Sequence, residues 1–309
     1  MWYIYLMAYS PKAERLALVA DHAAAIGAVL ADQRPRSLRV DDVRRLFERH
    51  RRDWDLPASL RPNEFLEVLV EEGLLQPVRL RHENEAYRDR ESPRFLVDGC
   101  TALEIASSLR TNGYLSHGTA VFVHGLGEQV PRTFYVNDEQ SAKPPPSGEL
   151  TQAAIDRTFA RKQRVSKFVL RHGDDRFTIL NGKRTDGLGV VEITGPSGEP
   201  LRVTDLERTL IDIVVRPVYA GGLYEVLVAY EYAVERGVSV ERLVELLGAL
   251  GHRYPYHQSV GFMLERAGAD PKLLEPLREL GLEYDFYLSY QMPEPVLDAS
   301  WRVHHPEGF

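Results

Sequence analysis

Cysteine is almost missing from this chain of 309 residues: Cys100 stands alone. That excludes an internal disulfide and leaves too few thiolates for a zinc ribbon or finger, so the residue reads as a small buried hydrophobe. Long apolar runs are missing too, with no stretch approaching the roughly 18 to 20 residues that cross a bilayer. Met1 to Tyr9 is apolar but lacks the basic start, long hydrophobic region and small-residue cleavage site of a signal peptide. The cytosol is the expected location, with no membrane partner. Catalytic and cofactor signatures are equally scarce. No Gly-x-Ser-x-Gly elbow follows a strand, Gly118 to Gly127 lacks the Gly-Lys-Ser/Thr ending of a phosphate loop, and Gly221-Gly222 opens a helix without a preceding strand. The expectation is a non-enzyme without cofactor or metal.

What is present is enough chain for two domains and an uneven charge. Apolar residues make up 44% and charged residues 27%, with a net charge of −7. Residues 1–98 hold 16 Lys/Arg and 17 Asp/Glu, which leaves 22 and 28 for residues 99–309. Within the first part, Arg34, Arg36, Arg39, Arg44, Arg45, Arg49, Arg51 and Arg52 face only Asp41, Asp42 and Glu48, a local excess of five positive charges. That is a basic patch on a nearly neutral domain.

Apolar residues at helical steps from Lys12 to Asp32 predict a first helix, ended by Pro35. Ser37 to Val40 suits a short strand, and Asp41 offers an N-cap for a second helix carrying Val43, Leu46 and Phe47. Arg61-Pro62 starts a third, with Phe65, Leu66, Leu69 and Val70 as its core stripe and Gly73 closing it. Pro77–Arg81 and Arg94–Val97 then read as two strands around a charged tip.

Helix, short strand, helix, helix, hairpin is the element order of a winged helix-turn-helix, assigned to residues 1–98. In that fold the third helix enters the major groove by its N-terminal residues, and the wing meets the backbone. Arg61 and Asn63 are therefore the candidates for base contact, since Arg pairs with guanine and Asn with adenine in bidentate fashion. Arg44, Arg45, Arg49, Arg51 and Arg52, with Arg79, Arg81, Arg88 and Arg90 of the wing, are the candidates for phosphate contact. Glu64, Glu67, Glu71 and Glu72 oppose this, giving 61–74 a net charge of −3, so only the first turn of the third helix can approach DNA.

Residues 99–309 predict a larger α+β domain. Helices are expected near 101–109, 116–124, 204–215, 222–236, 239–250, 256–267 and 271–280, and strands near 133–137, 167–170, 177–180, 190–194 and 201–203. Ser116 and the Thr204-x-x-Glu207 spacing provide the caps of two of these helices. A last strand, Tyr284 to Tyr290, is expected to end the fold, and Pro144-Pro145-Pro146 marks a surface loop.

Three blocks stand out in this domain: Tyr114-Leu-Ser-His-Gly-Thr-Ala-Val-Phe-Val-His-Gly-Leu126; Val203-Thr-Asp-Leu-Glu-Arg-Thr-Leu-Ile-Asp-Ile-Val-Val-Arg-Pro217 with Tyr219-Ala-Gly-Gly222; and Tyr254-Pro-Tyr-His-Gln258 with Gly261-Phe262 and Leu264-Glu-Arg-Ala-Gly268. Together they resemble the AbiEi family of antitoxins. The resemblance implies a transcriptional autorepressor from a bacterial toxin-antitoxin and phage-resistance operon. Such a protein binds inverted repeats in its own promoter through the N-terminal winged helix and leaves a dimer on the DNA open. The C-terminal domain is implied to antagonise a nucleotidyltransferase-like toxin without a stable complex.

Two other readings of the chain stay open. One is a DNA-binding head on a metal-dependent nuclease, for which Glu207, Arg208 and Asp212 are suggestive, although no Lys follows Glu192 closely as such sites require. The other is a protein adaptor with a degenerate winged helix. Ser116-His117 with Asp212 or His257 could be drawn as a hydrolase constellation, but chain neighbours rarely face each other as nucleophile and base. His117 and His124 lie seven apart on one helical face and lack a third metal ligand nearby.

Overall fold

The computed structural model of the protein describes residues 11–87, 91–144 and 148–309. The chain is mixed α+β and divides into two compact units. One runs to Ser108 and also takes in Leu170–Asp174; the other consists of Leu109–Val169 and Asp175–Phe309. The expected boundary at 98/99 thus falls inside the first unit.

Among the described residues the first unit has first α1 (Pro11–Asp21) and α2 (Ala23–Ala31), where the hydrophobic period alone suggests one helix. The His22 N–H reaches back only three residues, to the Val19 carbonyl at 3.1 Å, and this tightened turn separates the two. β1 (Ser37–Leu38) is short because Val40 already belongs to α3 (Val40–His50). The Asp42 carboxylate, not that of Asp41, accepts the Arg39 N–H at 2.7 Å, since the helix begins early enough to place Asp41 in its first turn. Val43, Leu46 and Phe47 fill the core. α4 (Pro62–Glu71) has proline at its first position, where a missing N–H is harmless, and Gly73 just past its end at φ +70°. The segment between α3 and α4 is packed: Trp54, Leu56 and Leu60 are buried, and Trp54 stacks on Phe65.

β2 (Gln76–His82) and β3 (Ser92–Leu96) pair antiparallel, with Val78 opposite Arg94 and Leu80 opposite Ser92. Val78, Leu80 and His82 point inward while Arg79 and Arg81 point out, the two-residue alternation of a strand with one wet face. β1 joins the other edge of β3. The unit continues past residue 98 because α5 (Ala102–Ser108) supplies acceptors to buried groups upstream. The Ser108 carbonyl accepts from Arg39 Nη2 at 2.7 Å, and its hydroxyl accepts from Arg94 Nε at 3.3 Å and lies 2.9 Å from the Ser37 hydroxyl. The Glu104 carboxylate accepts the Arg36 and Thr101 N–H groups, each at 3.0 Å. Far along the chain, Leu170 and Arg171 add a pairing to β2, opposite His82 and Arg81.

In the second unit β4 (Tyr114–Leu115) precedes α6 (His117–Val123), β5 (Thr133–Glu139) and α7 (Gln152–Phe159). β6 (Val169–His172), whose residues from Leu170 belong to the first unit, leads into β7 (Asp175–Gly182), β8 (Val190–Thr194) and β9 (Pro200–Thr204). β5 runs parallel to β7 and antiparallel to β4; β4 is parallel to β9, which pairs antiparallel with β8. α8 (Leu206–Val215) is the central helix, packed by α6, α9 (Leu223–Glu235), α10 (Val240–Leu250) and α11 (Tyr256–Arg266). Its cap is Asp205 in place of Thr204: the Asp205 carboxylate accepts the Arg208 N–H at 2.7 Å, and Glu207 turns away to the Ser239 N–H.

The helix expected over 271–280 is a 3-10 turn, Pro271–Leu274, followed by the single-turn α12 (Glu275–Arg278), because Pro276 lacks the N–H that a continuous helix would use. The strand expected over 284–290 shrinks to β10 (Phe286–Tyr287). The aromatics that suggested it serve packing: Phe286, Tyr287 and Tyr290 all lie against Phe159. The fold does not end there, since β11 (Pro295–Asp298) and β12 (Val303–Pro306) complete a three-stranded sheet in the order β10-β12-β11. Among the described residues no helix is long and apolar enough to cross a membrane.

α11 meets this terminal sheet at Gly261, where a Cβ would stand 2.1 Å from the fully buried Trp301 ring. Gly261→Ala is therefore expected to destabilise the second unit by about 3 kcal/mol through overpacking, read as a lowered midpoint in urea denaturation followed by tryptophan fluorescence.

Candidate functional site

The arginines expected to meet DNA divide by their partners. Arg44 and Arg45 are exposed on α3 and pair with Asp41 and Asp42 one turn earlier, the first at 3.3 Å. Such exposed pairs contribute on the order of 0 to 1 kcal/mol and give way easily to a stronger anion. Arg49 and Arg52 are exposed and have no carboxylate partner among the described residues. Arg51 lies over the Phe47 ring at 5.8 Å from its centroid. Arg61 and Asn63 are exposed at the start of α4, and the Arg61 backbone N–H is taken by Glu64 at 3.0 Å. Arg79 and Arg81 occupy the outward face of β2, Arg79 paired with Glu91 at 3.1 Å. Arg88 and Arg90 lie outside the described residues.

The carboxylates that seemed to count against α4 have a structural task. Glu64 is held by Arg15 of α1 at 3.0 Å and Glu67 by Lys12 at 3.3 Å. The Arg61 N–H and then Arg15 keep the Glu64 carboxyl below its ordinary pKa. Only Glu71 and Glu72, at the far end of the helix, remain exposed without such a partner among the described residues.

A different constellation lies in the second unit. Residues from each of the three sequence blocks line one cavity of about 710 Å³: His117 from the first, Arg208, Asp212, Arg216 and Tyr219 from the second, Tyr254 and Tyr256 from the third. Asn137 on β5, Lys183 just past β7, His252 and Arg253 beyond α10, and Arg164 also stand in its polar wall. Arg208 Nε donates to Asp212 Oδ1 at 2.9 Å, one turn along α8, and Nη1 to the Leu188 carbonyl at 2.7 Å; both side chains are nearly withdrawn from water. Glu139 at the end of β5 accepts the N–H groups of Thr185 and Asp186 at 2.9 Å and of Gly187 at 3.3 Å, and the Thr185 hydroxyl as well. Burial alone would raise its pKa, but these donors bring it below the ordinary value. The 183–189 loop is thereby fixed at the cavity's edge.

His117 has an unusual backbone for a residue with a Cβ, φ +51° at the first position of α6. The preceding Ser116 hydroxyl does not cap the helix; it meets His117 Nδ1 at 2.9 Å, because the left-handed residue turns the imidazole back onto its neighbour. Ser116 is fully buried, which denies it a substrate. Burial pushes the pKa of His117 down to about 4, with Asp212 opposing and Arg208 assisting, and that of His252 down to about 4 for the same reasons. Both imidazoles are neutral at pH 7. His124 is not paired with His117 for a metal: its Nε2 meets the Thr204 carbonyl at 2.6 Å. His257 Nε2 likewise meets the Gly281 carbonyl at 2.6 Å. Among the described residues no three His, Cys, Asp or Glu side chains gather to hold a metal ion. Cys100 is half-buried, and its thiol is pushed up to about 12 by burial.

Of this wall, Arg164, Lys183, His252, Arg253 and Asn137 carry no motif that sequence reasoning could have used; folding alone brings them together. The chain is thus a mixed α+β protein of two units with a polar cavity in the second. Among solved structures it is similar to the crystal structure of the RV2827C protein from Mycobacterium tuberculosis, at a TM-score of 0.54 and 13% sequence identity over 96% of this chain and 91% of that one. At that identity the likeness concerns the fold. No protein-family model matches the chain, and no curated protein matches it significantly.

The two neutral histidines set a direction for pH. In the unfolded chain their pKa lies near 6.5, so the unfolded state binds more protons than the folded state between pH 6.5 and about 4. Stability is full above that window and falls as the pH drops through it. His117→Asn, which suits a positive φ, should reduce the loss of thermal midpoint between pH 7.5 and 5.0; an unchanged acid loss would refute the assignment.

Proposed function

We propose that the chain is a cytosolic transcriptional autorepressor and antitoxin of the AbiEi type, whose first unit binds promoter inverted repeats as a winged helix-turn-helix. The observation that carries this reading is the run α1 to α4 followed by the β2–β3 hairpin, with Arg44, Arg45, Arg49 and Arg52 exposed along and just beyond α3 and Arg79 and Arg81 outward on β2. In this arrangement α3 and the hairpin serve the phosphate backbone, and α4 reads bases by its first turn, through Arg61 and Asn63. The pairing of Glu64 and Glu67 with α1 removes part of the repulsion that the helix would otherwise present. The second unit carries the antagonism of a nucleotidyltransferase-like toxin, a role that rests on the three resembling blocks.

The test is retention of DNA from the chain's own upstream region by the full-length protein across a salt series. Replacing Arg44, Arg45, Arg49 and Arg52 with Gln is expected to weaken binding by tenfold or more and to flatten the salt dependence by up to about four counterions. Arg61→Ala or Asn63→Ala is expected to reduce discrimination between operator and unrelated DNA, by about 1 to 3 kcal/mol for each bidentate pair lost. Salt-independent binding, or no shift at any salt, would defeat the reading.

A further inference from the structure

The cavity of the second unit gathers more positive charge than its surroundings neutralise. Arg208 is matched by Asp212, but Arg164, Lys183, Arg216 and Arg253 have no carboxylate partner among the described residues. The partners they do have are neutral. Lys183 Nζ donates to the Leu250 and Gly251 carbonyls at 2.7 and 3.0 Å, Arg216 to the Arg164 carbonyl at 3.4 Å, and Arg253 to the Gly148 and Glu149 carbonyls at 3.4 and 3.3 Å. This happens in the more acidic part of the chain, where 28 Asp/Glu outnumber 22 Lys/Arg over residues 99–309. Four cations around one concavity repel one another, and the low-dielectric walls strengthen the field they share, so an anion entering there relieves an existing strain.

We infer that this cavity binds a small organic phosphate. A single carboxylate brings one charge, whereas a phosphate or diphosphate brings two or more within a few ångströms and matches the planar forks of several arginines at once. About 710 Å³ is far more than a bare phosphate needs and lies within the usual range for organic ligands of roughly 300 to 1,000 Å³. Part of the remaining wall suits a less polar body, Val165, Leu180, Val215, Tyr254, Tyr256 and Tyr290, and Gln140, Ser166, Asn181 and Thr185 add neutral polar groups beside it. His252 Nε2, buried and without a hydrogen-bond partner, adds an unused polar atom at the same wall. The inference does not depend on the DNA-binding reading.

Calorimetric titration of the full-length protein with pyrophosphate at constant ionic strength tests it. The expected result is one saturable site per chain, retained when Arg44, Arg45, Arg49 and Arg52 are all changed to Gln, so that binding at α3 is set apart. Arg216→Gln and Arg253→Gln should each weaken it at least tenfold, while Arg161→Gln, exposed and outside the lining, leaves it unchanged. If Arg216→Gln alters the circular dichroism spectrum, Arg253→Gln and Arg164→Gln, both at exposed positions, decide the matter. Absence of pyrophosphate binding, binding insensitive to these changes, or equally tight binding of malonate would overturn the assignment.

Discussion

A guanidinium and a carboxylate one turn apart on α8, Arg208 and Asp212, organise the centre of the second unit. A helix packed on several sides can carry such groups only when each finds the other and their remaining hydrogen-bonding capacity is met, since an uncompensated buried charge costs several kcal/mol. Arg208 meets that demand by also reaching the Leu188 carbonyl, which draws in the loop after β7. The same loop is gripped by Glu139 through three backbone N–H groups. Lys183, at the loop's start, is thereby set against the end of α10 and at the edge of the cavity. The ion pair and the Leu188 contact thereby tie loop, helix and cavity wall together.

Much of the first unit could be read from local chemistry, because its signals are local. Pro62 and Gly73 bracket α4, and the alternation of Val78, Leu80 and His82 with Arg79 and Arg81 gives the hairpin its faces. Where reading failed, a distant partner had decided. The carboxylates of Glu64 and Glu67 look like an acidic face until Arg15 and Lys12, about fifty residues earlier, are brought to them. The terminal sheet was invisible because β10, β11 and β12 are only two to four residues long and their nearby aromatics were recruited to pack around Phe159. In the cavity, His117, Arg208, Asp212, Arg216, Tyr254 and Tyr256 stood in conspicuous blocks, yet nothing in those blocks says that they share a wall. Lys183 and Arg253 reach it through tertiary structure alone.

The two units handle positive charge in opposite ways. On α3 the arginines are spread along an exposed surface, and two of them are held by weak pairs with the preceding turn that solvent already screens. In the second unit the cations converge on a concavity, and their local partners are carbonyl oxygens. The first arrangement suits a long, regularly charged polymer approached from outside. The second suits something small that can be surrounded. Net charge, which is negative overall, conceals both.

The first unit is assembled from two separate lengths of chain: its body ends at Ser108, and its last pairing, Arg171 and Leu170 against Arg81 and His82, lies more than sixty residues further on. During synthesis from the N-terminus, this end of β2 must wait uncovered until Leu170 and Arg171 have emerged from the ribosome. A fragment ending near residue 98 would never acquire that strand and would also lose the Ser108 acceptors of Arg39 and Arg94. The unit thus comes to completion only after the first part of its neighbour, Leu109–Val169, has been made.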